Sequence, residues 1–88
     1  MKIKFLSGFH KDIQKTRDKK LALTILECIE LFEMANDIHE LPNIKKMKGH
    51  SNAYRYRKGK YRIGFFLDDD TITFAAFAPR DKIYLKFL

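Results

Sequence analysis

Along the first six residues, MKIKFL, lysines alternate with apolar side chains, Lys2 and Lys4 against Ile3 and Phe5. A period of two predicts a strand with one buried face. Ser7 follows as a candidate N-cap. From Phe9 through Ile13 to Arg17 the pattern is a short, mostly charged helix with a thin apolar stripe. Asp18 opens a charged break and is a candidate cap for a second helix over 20–37. There Leu21, Ile25, Cys28, Ile29, Phe32 and Ala35 recur at spacings of three and four, one face of a 3.6-residue period. Leu23, Leu26, Leu31 and Met34 are expected to widen that face. Glu27, Glu30, Glu33 and Asp37 then read as the solvated side, not as paired catalytic carboxylates.

The stretch LPNIKKMKGH (41–50) reads as a loop, opened by Pro42 and marked by Gly49. Three strand-like segments follow, over 53–58, 60–67 and 71–78. Lys58-Gly59 suits a tight hairpin turn between the first two, and Asp68–Asp70 suits a turn between the second and third. Pro79 ends the last strand, leaving 80–88 as a short tail, one helical turn or a strand. The order β-α-α-β-β-β predicts an α+β domain: a mainly antiparallel four-stranded sheet with a helical hairpin packed on one face. The other sheet face stays open in this reading. At 88 residues the chain is one domain, 1–88, with a single core.

Charge changes this bland picture. Lys and Arg outnumber Asp and Glu by 18 to 11, and the excess is not spread evenly. Residues 1–44 carry seven of each sign, so the whole net charge of +7 lies in 45–88. Between 45 and 62 stand Lys45, Lys46, Lys48, Arg55, Arg57, Lys58, Lys60 and Arg62, with no acid. Clustering of this kind points to a polyanion, most simply nucleic acid. A membrane surface is the weaker alternative, because no basic amphipathic helix accompanies the charge. Cys28 stands alone inside an apolar helical pattern and reads as a small buried hydrophobe; no disulfide framework or paired metal motif is present. With no signal-peptide pattern and no apolar run of about 18 residues, the expected location is the cytoplasm.

Within AYRYRKGKYR (53–62) three tyrosines are interleaved with five cations. With Lys58-Gly59 as a two-residue turn, Arg57 pairs with Lys60, Tyr56 with Tyr61 and Arg55 with Arg62. Arg55, Arg57, Lys60 and Arg62 then share one face, while Tyr54, Tyr56, Tyr61 and Ile63 share the other, against the helices. The cationic face is a candidate phosphate cradle, since a planar guanidinium bonds phosphate bidentately. Lys45, Lys46 and Lys48 extend that field along a nucleic-acid backbone. Arg80 and Tyr84, four residues apart, point the same way on a helical turn. There Arg80 can stabilise charge on a phosphate, and Tyr84 can stack on a base or pass a proton.

These residues carry a resemblance. IKKMKGHSNAYRYRKGKYRIGFF followed by FAPRDKIY resembles the RelE/ParE superfamily of toxin–antitoxin toxins. The shared elements are a Leu/Met-x-Gly loop, a Tyr-Arg-x-Arg strand, a Gly-x-Tyr-Arg hairpin and a terminal Arg…Tyr, in order over nearly the whole chain. The resemblance implies a ribosome-dependent endoribonuclease that cuts messenger RNA by attack of a ribose 2′-OH on the adjacent phosphate. It places the catalytic roles on Arg62, Arg80 and Tyr84, with Arg55 and Arg57 as the basic pair of the strand and no metal or cofactor. It also implies an antitoxin protein as partner, besides messenger RNA and the ribosome.

The pattern departs from the best-known RelE member in two places. Arg55 and Arg57 stand where that member has lysines, and arginine holds its proton too tightly to serve as a base. They suit phosphate binding, which leaves the base unassigned; His50 is a possible alternative. The spacing from Arg80 to Tyr84 is also shorter. The superfamily leaves two other readings open, a ParE-like gyrase inhibitor without nuclease activity and a degenerate relative that only binds its antitoxin.

Overall fold

In the computed structural model, which describes residues 1–87, the fully buried ring of Phe32 meets three others edge-on. The centroids of Tyr56, Phe65 and Phe74 lie 5.2, 5.1 and 5.3 Å from it. Phe32 belongs to a helix and the other three rings to three strands, so this cluster is where helices meet sheet. In chain order the elements are β1 (Lys2–Phe5), α1 (Ser7–Lys15), α2 (Lys19–Met34), a 3₁₀ turn (Ile38–Glu40), β2 (Ile44–Lys46), β3 (Ala53–Lys58), β4 (Tyr61–Asp68), β5 (Thr71–Pro79) and α3 (Ile83–Phe87). The sheet order is β1-β5-β4-β3-β2, with β1 parallel to β5 and the other pairs antiparallel. Phe9 of α1 and Ile25, Cys28 and Phe32 of α2 close over Tyr56, Ile63, Phe65, Ile72, Phe74 and Phe77. Among the described residues, no helix is long and apolar enough to cross a membrane.

The α+β class and the element order are as the sequence predicts, with one strand more. Ile44–Lys46, expected as loop, forms the edge strand β2 and pairs with Tyr54–Tyr56 of β3. Asp18 caps α2 as expected, its Oδ1 accepting from the backbone N–H groups of Lys20 (3.0 Å) and Leu21 (3.2 Å), worth about 1 kcal/mol. Ser7 does not cap α1. Leu6 holds the extended cap position and gives no side-chain bond, while Ser7 is already helical.

The apolar face of α2 is narrower than its leucines suggest. Ile25, Cys28 and Phe32 are buried, whereas Leu23, Leu26, Leu31 and Met34 are 58, 52, 42 and 83% exposed. Only one side of α2 meets the sheet, and these four project to the outward side beside Glu27, Glu30 and Glu33. Phe5 on edge strand β1 is also half exposed, although its ring stacks at 5.8 Å on both Phe9 and Phe74.

Two further differences shape the site. The β3–β4 hairpin pairs Lys58 with Tyr61 and Arg57 with Arg62, so its turn is Gly59-Lys60 and not Lys58-Gly59. Gly59 has φ +59°, which puts glycine at the first central position, where a tight hairpin needs it. The pairing moves by two residues, so every side chain keeps its expected face; only Lys60 leaves the ladder for the turn. Second, the sheet face away from α1 and α2 is not open. The tail folds into α3 and lies on it, Ile83 packing on Ala76 and Ala78 while Phe87 meets the ring of Phe66 at 5.0 Å.

Candidate active site

Strand alternation and register build the floor of the site. On the α3 face of the sheet, Arg57, Arg62 and Ala78 form one cross-strand row, and Lys45, Arg55, Gly64 and Ala76 form the next. The large side chains of these rows belong to β2, β3 and Arg62. On β4 and β5 the positions are small, and α3 fits over them. A Cβ on Gly64 would stand 2.5–2.9 Å from ring atoms of Phe87, so the helix uses the space that glycine leaves. Because α3 covers one half of the face and the basic strands occupy the other, a concave cleft forms at the boundary.

That cleft, about 350 Å³, is lined by Arg55, Arg62, Arg80, Ile83 and Tyr84. Four of the residues assigned from sequence thus converge. Arg80 is positioned by its backbone N–H, which donates to the Lys60 carbonyl at 3.0 Å, tying the residue after β5 to the β3–β4 turn. The chain then turns through Lys82, whose N–H reaches the Pro79 carbonyl at 2.9 Å, and α3 presents Tyr84 to the same space.

Arg62 does not face freely outward, as the sequence reading has it. It is 7% exposed, and its Nη1 donates to the carbonyls of Gly59 (3.0 Å) and Tyr61 (2.9 Å). The guanidinium is therefore held rigid, with its remaining donors available along the cleft. Burial, and after it the charges of Arg55, Arg57 and Arg80, push its pKa below the usual arginine range. Three like charges around one buried cation leave a repulsion that an anion in the cleft would relieve.

The remaining cations spread around this centre. Arg57 shares the face but not the cleft lining; its Nη2 donates to Asn43 Oδ1 at 3.0 Å, and its backbone N–H to the Asn43 carbonyl at 3.0 Å. Asn43 takes the left-handed conformation, φ +66°, to make this possible. Lys60 lines a neighbouring cleft of about 390 Å³, which shares Arg62 and Arg80 with the first and adds Asp81. Lys45, Lys46, Lys48 and His50 line a third, of about 660 Å³, whose other wall is Tyr84. His50 is thus across Tyr84 from the arginines, not among them.

Sequence reasoning missed Asn43, Asp81 and the seat of α3. Only the last left a signal: Gly64, Ala76 and Ala78 are small residues on one face of strands that are bulky on the other. Chemically, a cleft lined among the described residues by three guanidiniums and a phenol, and by no carboxylate, suits a phosphodiester. The guanidiniums can hold its anionic oxygens and take up added negative charge, and the phenol can exchange a proton.

No family model matches the chain. A curated protein named Toxin RelE3, from Methanocaldococcus jannaschii, is 39% identical over 91 residues, covering 99% of both chains. Among solved structures, a RelB-RelE antitoxin-toxin complex from Methanococcus jannaschii matches at 34% identity with a TM-score of 0.78, over 97% of this chain and 99% of that one. An archaeal RelE-RelB complex from Pyrococcus horikoshii OT3 shares the fold, with a TM-score of 0.72 at 24% identity over 90% of this chain and 93% of that one. With a 39% identical relative matched from end to end, and the arginine cleft on the fold of these structures, the chain belongs to the RelE family of toxins.

Proposed function

We propose that this protein is the toxin of a type II toxin–antitoxin pair and that it cuts messenger RNA at the ribosome through the cleft between β3, β4 and α3. The observation that carries the reading is the convergence of Arg55, Arg62, Arg80 and Tyr84 on one 350 Å³ space. In the reaction a ribose 2′-hydroxyl gives up its proton to water and its oxygen bonds to the adjacent phosphorus, while the bond from phosphorus to the 5′-oxygen of the next nucleotide breaks. The products are a 2′,3′-cyclic phosphate and a 5′-hydroxyl. Negative charge grows on the non-bridging oxygens as the fifth bond forms, and the guanidiniums of Arg62, Arg80 and Arg55 are placed to neutralise it. Because they keep their protons, they stabilise charge and do not act as bases. Tyr84 is the lining group suited to proton transfer, and the leaving 5′-oxygen is the atom that needs a proton. Arg57, Lys45, Lys46, Lys48 and Lys60 extend the cationic field along the RNA backbone.

An antitoxin partner is part of the same reading. The similar archaeal structures are toxins bound to their RelB antitoxins, and an acidic segment laid over the cleft would satisfy its charge and block it. The test is cleavage of message on programmed ribosomes, with cut sites mapped. Arg80→Ala and Tyr84→Phe are each expected to reduce cleavage at least about 100-fold, as removal of one stabilising donor or proton-transfer group does. Cleavage that survives both substitutions, or no cleavage by the wild-type protein, would sink the proposal.

A further inference from the structure

The arginine cleft explains where one phosphodiester sits and leaves the larger cleft beyond Tyr84 without a role. The loop that builds it is held in shape. Met47, 2% exposed, anchors its start; the Met47 N–H donates to the Ala53 carbonyl at 2.8 Å, and the His50 N–H to the Met47 carbonyl at 3.3 Å. Gly49 makes the bend at φ +83°, in open space. From this base Lys48, His50 and Ser51 project into solvent, and among the described residues no side-chain hydrogen bond engages any of them. They are polar groups on a braced loop with no intramolecular partner. Their cleft meets the arginine cleft at Tyr84, which lines both.

Resting on the RNA-cleaving reading, the geometry points to a second nucleotide subsite on this loop, which takes the nucleotide on one side of the cleaved linkage and reads its base. Lys48 takes the phosphate, as Lys45 continues the cation track from Arg55, its cross-strand partner. His50 and Ser51 each offer a donor and an acceptor, which is what reading a base edge requires and what lysines, donors only, cannot supply. Tyr84 is the wall between the two nucleotides. The cleft lies on one side of Tyr84, so the subsite is one-sided: it serves the nucleotide preceding the cut or the one following it, not both.

Uncleavable RNA tests this apart from catalysis. A dinucleotide with hydrogen in place of the attacking 2′-OH is extended by one nucleotide on its 5′ side or its 3′ side, and binding to the full chain is followed by fluorescence anisotropy. Wild-type protein gains about tenfold in affinity from extension on one side only, in the range of one added nucleotide contact, and the gain varies with the added base. His50→Ala together with Ser51→Ala keeps the affinity for the dinucleotide and loses the gain and its base dependence; Arg80→Ala weakens all the RNAs by a similar factor. Equal gains on both sides, or a gain that persists in the His50/Ser51 variant, overturn the subsite. A one-sided gain without cleavage on ribosomes leaves the subsite standing and removes the nuclease reading. Cleavage without the gain does the reverse.

Discussion

Gly64 lies directly beneath Phe87, and a Cβ at that position would come within 2.5–2.9 Å of three atoms of its ring. The contact couples the middle of the sheet to the helix that carries Tyr84. Gly64→Ala is expected to lift α3, since a terminal helix moves more easily than a central strand. Overpacking of this kind costs about 1–3 kcal/mol, and here the lower end is expected because α3 can yield. RNA cleavage should fall at least about tenfold while thermal unfolding shifts by only about 4–8 °C, the equivalent of 1 kcal/mol in a domain of this size. Unchanged cleavage would show that Tyr84 does not depend on this seat.

Arg62 is clamped to two carbonyls and surrounded by three like charges, so anion binding should stabilise the fold. Inorganic phosphate at ten times its Kd contributes about 1.4 kcal/mol by mass action. The melting temperature should rise by several degrees more in phosphate than in sodium chloride of equal ionic strength. Arg80→Ala should shrink that difference, and so should Arg62→Lys, which keeps the charge but loses the planar fork. If chloride does as well as phosphate, the effect is screening alone, and the cleft has no anion site.

Asp12 joins three elements. Its Oδ2 accepts from the backbone N–H of Phe77 on β5 at 3.0 Å, and its Oδ1 takes the Lys86 ammonium of α3. The two bonds are not equal, because the Asp12 side chain is 9% exposed and that of Lys86 46%. Asp12→Ala leaves a backbone N–H without its partner and should cost about 1–3 kcal/mol by urea unfolding. Lys86→Ala, at a largely solvated pair, should cost no more than about 1 kcal/mol. Asp12→Asn keeps an acceptor and should recover most of the loss; failure to do so would assign the stability to the ion pair.

What could be read in the sequence follows from how many residues carried each signal. The core of α2 was legible because Ile25, Cys28 and Phe32 repeat over several turns. Periodicity groups Leu23, Leu26, Leu31 and Met34 with the same face although they are exposed, because it marks an apolar side chain, not whether a neighbour exists to cover it. Strand β2 is three residues long, two of them lysines, and α3 is five; neither is long enough to show a period. The hairpin register differs by two from the one the sequence predicts, yet Arg55, Arg57 and Arg62 share the expected face, since a change of two in the pairing preserves alternation. Arg57 shares the arginine face but not the cleft lining, for a reason no strand pattern contains: Asn43, distant in sequence, adopts a positive φ and binds it.

Cys28 on α2 and Tyr56 on β3 lie buried in the same core. Burial pushes the Cys28 thiol above its ordinary value, against a smaller opposing pull from Lys58. Burial also raises the Tyr56 phenol, and its interaction with Cys28 raises it further. A group whose pKa is raised by folding favours the folded state while it keeps its proton. That contribution is complete below the unfolded pKa and is lost as pH climbs through the folded one. Stability measured by urea midpoint should therefore hold through neutral pH and begin to fall near pH 9.0, the thiol's ordinary value. Other groups also contribute to a decline at high pH, so the informative quantity is the difference between wild type and Cys28→Ala. The variant should be less stable at neutral pH, through lost packing, and its decline should start at higher pH. Parallel curves would mean that the thiol keeps its proton across the whole range and that the decline comes from other groups.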